Sequence, residues 1–327
     1  MGVGATYRLP PGAPGQGIAG AKPAVVANGI VRRSLSTTKT AAATRRAAAS
    51  ERKNVGEIRL SCFAAPWGGD GTIQAITDVA DCGYDGLEFP AEVVRRFEDR
   101  LHVFEEILDT TGLKLSGLLQ RVNLIDKDKA DEQVEKAANS ARFAGATGRG
   151  NLIICQSEPL GGPVSDDDWL TVGAIVEEIG CRCQDFGINL CFMPRARHFG
   201  DSDKDLKRIL SITNAEVVSL AVDTAELVLA GMDPSKVIKT YAQRLRSVRF
   251  RDVSGAKRRA DVTSSRPGSA PQFGRGAVDF EAVSKTLVDI KYDGWITVDI
   301  TGEAAQPKEA ALAGYRFVMR RSGLYPY

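Results

Sequence analysis

Short β-branched runs that are each followed by a helix-like segment repeat along this chain, and this alternation limits its possible folds more than any other feature. Eight such units can be counted. The second half shows them most clearly, in the runs INLCFMP, VVSLAVDT, LRSVRFRD and WITVDI. Strands that alternate with helices pair in parallel through helical crossovers. The sequence therefore predicts a single (β/α)8 TIM barrel, whose chemistry lies at the C-terminal ends of the strands.

The boundaries of the eight units follow from periodicity and from capping residues. Strands are predicted over 58–64, 85–89, 114–119, 151–156, 188–193, 217–223, 245–252 and 295–300. Helices are predicted near 72–82, 97–111, 129–145, 166–186, 202–212, 234–244, 279–290 and 306–322. Aspartates precede four of the helices, at Asp166, Asp201, Asp233 and Asp279. An open doubly wound sheet is the alternative, but no GxGxxG follows the first strand, which weakens it.

The amino terminus has a different composition from the rest. Its first 50 residues contain seven Lys or Arg and no Asp or Glu, and they are rich in Ala, Gly, Ser and Thr. We predict a leader over 1–54 and a barrel domain over 55–327. The leader resembles an organellar transit peptide, for mitochondrion or chloroplast. A disordered tail or an over-extended start are the alternatives, and the protein would then be cytoplasmic.

Charge and hydropathy exclude two classes of partner. Because seven of the 43 basic residues lie in the first 50 residues, the remainder carries 36 basic and 41 acidic side chains, a net charge of −5. That balance gives no electrostatic case for nucleic acid. No apolar run approaches the roughly 18 residues of a membrane span. Six cysteines without a CxxC pair predict neither a disulfide framework nor a metal site of that type, and they fit a reducing compartment.

One connection, 253–278 after the seventh strand, is much longer than the others. A long loop on the C-terminal face of a barrel is typical of a lid or a binding loop, and disorder is the alternative. Its basic run, Lys257 to Arg259, could meet an anionic substrate or simply face solvent.

The ends of the predicted strands carry an unusual number of polar side chains. They are Glu88, Gln120, Gln156, Met193 with Arg195, Arg197 and His198 after it, Asp223, Glu226, Arg249, Asp252 and Asp299. Acids and cations that converge from several strands predict a polar pocket, because buried charges must be paired or liganded.

Four segments in order resemble the sugar phosphate isomerase/epimerase superfamily, the xylose isomerase-like TIM barrels. They are GYDGLEF (83–89), AVDTAELVLAGMDPSKVIKTYAQRLRSVRFRDV (221–253), FGRGAVDF (273–280) and YDGWITVDI (292–300). The similarity covers roughly 58–322. It implies a barrel that acts on a small keto-sugar or polyol by proton abstraction next to a carbonyl, leading to isomerisation, epimerisation or elimination.

The resemblance also implies a divalent metal, held by Glu, Asp, His and Glu at the ends of strands 5 to 8. Here these positions are Met193, Asp223, Arg249 and Asp299. A thioether is a poor ligand for a hard cation, and a guanidinium has no lone pair to donate. We therefore predict no metal, with Arg249 in its place. If a metal is present, we expect Mn²⁺ or Mg²⁺ at Asp223 and Asp299. A shifted site of Glu226, Asp223, Asp299 and His198 is the alternative.

Roles are assigned on the same basis. The catalytic candidates are Glu88, Glu226, Arg249 and His198, and the candidates for substrate binding are Trp67, Arg197, Asp252 and Gln156. An arginine would stabilise the enediolate in place of the metal. Several of these residues have a structural alternative, namely packing for Trp67, a salt bridge for Glu88 and a surface loop for His198.

Two classes of function remain open. The first is an enzyme with a sugar-like ligand. The second is a catalytically inactive barrel that serves as a structural or binding subunit of a larger complex. A homo-oligomer is compatible with both. DNA repair of the endonuclease IV type needs zinc ligands that two histidines cannot supply.

Overall fold

The computed structural model describes residues 58–148, 150–254, 271–302 and 306–324. The predicted leader and the basic run of the long loop lie outside the described residues. The leader boundary, the transit peptide and the lid therefore stay predictions.

Eight parallel strands close into one barrel in the order of the sequence. They are β1 Arg59–Phe63, β2 Gly86–Pro90, β3 Lys114–Val122, β4 Asn151–Gln156, β5 Leu190–Phe192, β6 Val218–Asp223, β7 Leu245–Phe250 and β8 Trp295–Val298. The barrel closes where β1 pairs with β8, with Cys62 opposite Val298. The predicted (β/α)8 barrel is confirmed, and the open doubly wound sheet is wrong.

Helices connect the strands on the outside of the barrel. They are α1 Thr72–Cys82, α2 Val94–Phe97, α3 Leu101–Thr111, α4 Ala130–Ala146, α5 Asp166–Asp185, α6 Asp203–Ser211, α7 Thr224–Leu229, α8 Pro234–Thr240, α9 Phe280–Asp289 and α10 Pro307–Arg320. No helix among the described residues is both long enough and apolar enough to cross a membrane.

Helix starts differ from the prediction at two of the four aspartates. Asp233 and Asp279 are the N-caps of α8 and α9, as predicted, and accept backbone N–H bonds. The caps of α5 and α6 are instead Ser165 and Ser202. A serine hydroxyl caps as well as a carboxylate does, so a neighbouring Asp does not fix the boundary.

Two buried clusters divide the core. The larger one contains most of the buried apolar side chains of strands and helices. The smaller one consists of Ile153, Cys155, Cys191, Met193 and Ala221. Ile153 and Cys155 are two apart on β4, Cys191 and Met193 are two apart on and just after β5, and Ala221 lies on β6. Side chains two apart on a strand share one face, here the interior of the barrel. Towards the C-terminal ends this interior becomes polar, and that change positions the site.

Candidate active site

A cavity of about 370 Å³ lies among the C-terminal ends of the strands. Its charged lining consists of four acids and four arginines, namely Glu92, Asp223, Glu226 and Asp299, and Arg121, Arg195, Arg249 and Arg251. The neutral lining includes Phe63, Cys155 and Met193. The predicted polar pocket at the strand ends therefore exists.

Arg249 lies between two buried carboxylates. One Nη atom contacts Glu88, and the other lies 3.3 Å from the Asp299 carboxylate. The guanidinium also stacks on Phe63, 4.2 Å from the ring centroid. On the far side, the Thr297 hydroxyl donates to Glu88 at 2.9 Å. Arg249 thus cannot turn without leaving two acids unpaired.

Arg251 binds a second pair of carboxylates. Its Nη2 donates to Glu226 at 2.7 Å, and its Nε lies 3.2 Å from Asp223. Glu226 also accepts the Ala196 N–H at 3.0 Å and meets Arg195 Nε at 3.5 Å. The Glu226 carboxylate therefore joins the segment after β7 to the loop after β5.

The turn between β6 and α7 brings together the ion-paired group of Asp223, Glu226 and Arg251. The helix α7 begins directly after β6, and Asp223 caps it by accepting the Glu226 N–H at 3.0 Å. Asp223 is thereby held at the top of the barrel, with Glu226 one turn above it. Thr224 joins this turn to β7, because its hydroxyl donates to the Arg251 carbonyl at 2.7 Å. The cap and the hydroxyl set the distance between the acids and their arginine.

Burial and pairing shift the pKa values of these acids in different directions. Burial raises the pKa of Glu88, and the nearby Arg249 only limits the rise. Burial likewise raises the pKa of Asp223 against the pull of Arg251, and the Glu226 charge adds to the rise. For Glu226 burial opposes ionisation, but the guanidiniums of Arg251 and Arg195 outweigh it and lower the pKa. Of these two acids that line the cavity, Asp223 therefore has the raised pKa and Glu226 the lowered one.

Three of the four predicted catalytic residues come together in this arrangement. Glu88, Glu226 and Arg249 all belong to the ion-paired clusters, although Glu88 lies behind Arg249 and does not line the cavity. The fourth, His198, is buried beside the cavity without lining it. Its Nδ1 lies 2.8 Å from the Ala196 carbonyl, and burial lowers its pKa. The ring holds the loop that also presents Ala196 to Glu226.

The four residues predicted to bind substrate lie elsewhere or are engaged by the protein. Trp67 donates its indole N–H to Asp78 on α1 at 2.9 Å. Gln156 is buried and accepts the Leu124 N–H at 2.8 Å. Arg197 is exposed and lines a separate cavity beside α6.

Asp252, the fourth of these candidates, has a structural role. Its carboxylate accepts the backbone N–H groups of Val253, Gly274, Gly276 and Val278 at 2.9 to 3.3 Å. It therefore ties the two ends of the long loop together. None of these four placements supports contact with a ligand in the cavity.

Sequence reasoning missed Arg251 and Arg121 and did not select Arg195. The signal for Arg251 was present, since it lies two residues after Arg249 and side chains two apart on a strand face the same side. Arg121 lies near the end of β3, two residues beyond the predicted end of that strand. Because the predicted strand ended at residue 119, Arg121 was assigned to the loop that follows it.

The donors in this cavity do not fit a divalent cation. Asp223 and Asp299 are each paired with a guanidinium, and the other two implied positions hold Met193 and Arg249. No three His, Cys, Asp or Glu side chains of the described residues converge on one point. A dication at this position would be repelled by Arg249 and Arg251.

Comparisons with known proteins identify the fold further. A family model described as xylose isomerase-like TIM barrel matches residues 76–321. The chain is 23% identical over 278 residues to an inosose dehydratase of Clostridium beijerinckii, covering 76% of this chain and 89% of the relative. The IOLI protein with a bound zinc atom superposes with a TM-score of 0.70 at 13% identity, over 82% of this chain and 99% of that protein. A 3-keto-D-glucoside 4-epimerase from E. coli gives a TM-score of 0.65 at 14% identity, over 80% and 98%.

Proposed function

This chain belongs to the xylose isomerase-like TIM barrel family, and we propose that it is a sugar-modifying enzyme that removes a proton next to the carbonyl of a polyhydroxylated ketone. The observation that supports this most is that Asp223, which is paired with Arg251, lines one cavity together with the guanidiniums of Arg251 and Arg249. Proton abstraction at such a carbon needs a base and a cation that stabilises the enediolate. The cavity lining contains both.

Asp223 is the base in this proposal. It lines the cavity, and burial raises its pKa towards the range in which a carboxylate both accepts and returns a proton. Glu226 has the opposite shift and stays ionised, so it positions Arg251 and Arg195. Glu88 positions Arg249 in the same way from behind.

Arg249 and Arg251 supply the positive charge that the enediolate oxygen needs. Both are buried and each is held by two carboxylates, so their guanidiniums need no reorganisation when the oxyanion forms. We propose that this enzyme works without a divalent metal. The donor set supports this, since Met193 and Arg249 occupy two of the four positions at which related barrels have ligands.

The first step leads to more than one product class. Loss of a β-hydroxyl from the enediolate completes a dehydration, as the name of the inosose dehydratase relative describes, while reprotonation on the other face completes an epimerisation. Both begin with the same proton transfer. The test should therefore measure that transfer rather than a particular product.

The experiment is deuterium exchange by NMR on the full chain, with myo-inosose and 3-keto-glucosides in D₂O. We expect exchange at the carbon next to the carbonyl, unchanged by EDTA. Asp223→Asn should reduce it by at least about 100-fold, the effect of losing a general base. Asp279→Asn is the matched control, because Asn also caps the exposed start of α9. EDTA-sensitive exchange would disprove the metal-free proposal, and equal exchange in both variants would disprove the role of Asp223.

A scaffold without catalysis is the second candidate. It is favoured by the pairing of all four buried acids of the two clusters with arginines, which is also how a purely structural network is built. Absence of exchange with every ketone, together with retained folding of both variants, would select it.

A further inference from the structure

Arg121 is a cation of the cavity that no carboxylate of the described residues neutralises. It lies on β3, lines the cavity and is exposed. No carboxylate of the described residues forms an ion pair with it, whereas Arg249 and Arg251 each have two such partners. Water solvates an exposed guanidinium, and that water is readily exchanged for a ligand oxyanion. Arg121 is therefore available to a ligand in a way that the two buried arginines are not.

Arg195 is a second cation of the cavity, and it forms only one long ion pair among the described residues. Its one ionic contact among the described residues is Nε with Glu226 at 3.5 Å. Glu226 is already held more closely by Arg251 at 2.7 Å and by the Ala196 N–H at 3.0 Å. The Nη atoms of Arg195 thus remain without a carboxylate partner in the described part of the chain.

The two guanidiniums face a neutral wall. Arg121 is directly opposite Cys155 in the pairing of β3 with β4, and Met193 follows at the end of β5. Both sulfur side chains line the cavity. Burial raises the pKa of the Cys155 thiol, and the charges of Arg195 and Arg121 only limit that rise. The thiol stays protonated and supplies no negative charge.

We infer that the ligand is a sugar acid, a polyhydroxylated compound whose carboxylate is bound by Arg121 and Arg195 on the β3–β5 side of the cavity. A neutral sugar gives an unpaired guanidinium only hydroxyl oxygens. A carboxylate matches the planar fork of a guanidinium with two parallel hydrogen bonds. The reacting ketone then lies towards Arg249 and Asp223, which line the same cavity. This inference rests on the proposed function and names the substrate class of the same site.

The test compares binding of unreactive ligands that differ only in charge. Gluconate and glucitol have the same six-carbon chain, with a carboxylate or a hydroxymethyl end group, and glucitol 6-phosphate carries a phosphate instead. Titration calorimetry on the full chain should show gluconate binding about 10- to 100-fold tighter than glucitol, the effect of a charge-assisted hydrogen bond. Arg121→Gln should remove that preference. Arg142→Gln on the exposed face of α4 is the matched control and should keep it.

Three results would overturn the inference. They are equal binding of gluconate and glucitol, an unchanged preference in Arg121→Gln, and no binding of gluconate in the millimolar range. Tighter binding of glucitol 6-phosphate than of gluconate would assign the guanidiniums to a phosphate and overturn the carboxylate assignment. Deuterium exchange with neutral ketones but no gluconate preference would overturn this inference alone. Gluconate preference without exchange on any ketone would overturn the proposed function alone.

Discussion

Replacing Arg249 by methionine tests the buried ion pairs of Arg249 with Glu88 and Asp299 most directly. The substitution keeps the length and much of the volume of the side chain but removes the charge. It leaves Glu88 at 1% exposure and Asp299 at 3% without their cation. Breaking a buried ion pair by removing one partner costs about 3–5 kcal/mol, because the remaining charge stays buried and uncompensated. We expect a loss of that size in the free energy of unfolding.

The assay is urea unfolding, with thermal unfolding as a second measurement. In a domain of this size each kcal/mol shifts the melting temperature by about 2–4 °C, so Arg249→Met should lower it by on the order of 10 °C. Arg142→Met is the control, and a surface change of this kind stays within about 0.5 kcal/mol. A loss of less than about 1 kcal/mol for Arg249→Met would show that its carboxylates are hydrated and that the cluster is not dry.

A second substitution shows how much of the lost stability comes from the unpaired Glu88 carboxylate and how much from lost packing. Adding Glu88→Gln to Arg249→Met removes the uncompensated carboxylate, so the double variant should recover at least about 1.5 kcal/mol relative to Arg249→Met alone. The same logic predicts a pH dependence. Burial already raises the pKa of Glu88, and loss of the guanidinium raises it further, so lowering the pH protonates Glu88 and shrinks the penalty. A penalty that is constant or larger at low pH, without rescue by Glu88→Gln, would refute the reasoning.

Two further predictions concern the histidine and the metal positions. Burial lowers the pKa of His198 in the folded protein, so its contribution to stability is complete above the unfolded value of about 6.5 and is lost as the pH falls through the folded value. The stability gap between wild type and His198→Asn, from urea unfolding, should therefore narrow from about pH 7.5 to about pH 5, and a gap that widens would contradict the assignment. Converting Arg249→His together with Met193→Glu should create Mn²⁺ affinity in calorimetry that the wild type lacks, and no gain would mean that the ends of β5 and β7 do not face one point.

The fold could be predicted because its signals are local and repeated. Each β-branched run gave a strand, with boundaries within a few residues. The prediction was wrong where a helix is too short for periodicity. The six residues of α7 follow β6 without a loop, and the helix predicted over 97–111 is interrupted at Glu98–Arg100. Their ends depend on a cap by Asp223 and on tertiary packing, which single-sequence patterns do not report.

The site could be predicted in part, and strand parity explains which part. Arg249 and Arg251 are two apart on the predicted seventh strand, 245–252, and both reach the cavity. Asp252 has the opposite parity, and its carboxylate binds the backbone of the long loop instead. Applied to this strand, the alternation rule would have selected Arg251 and rejected Asp252. The same rule could not predict the direction of the Arg197 side chain. This residue lies in a loop with a φ of 68°, where strand alternation does not apply.

The balance of buried charge explains why one acid of this cavity is suited to move a proton. Two buried arginines face four buried acids, which are Glu88, Asp223, Glu226 and Asp299. Full ionisation would leave an excess of negative charge in a medium of low dielectric constant, and that is unfavourable. A proton is the smallest counterion that can reduce the excess, and burial raises the pKa of both Glu88 and Asp223. Of these two acids only Asp223 lines the cavity. Asp223 and Glu226 share Arg251, at 3.2 and 2.7 Å, and Glu226 also has Arg195 beside it. Burial therefore raises the pKa of Asp223, whereas at Glu226 the two guanidiniums outweigh burial and lower the pKa. An additional cation beside Asp223 would remove this asymmetry and with it the base.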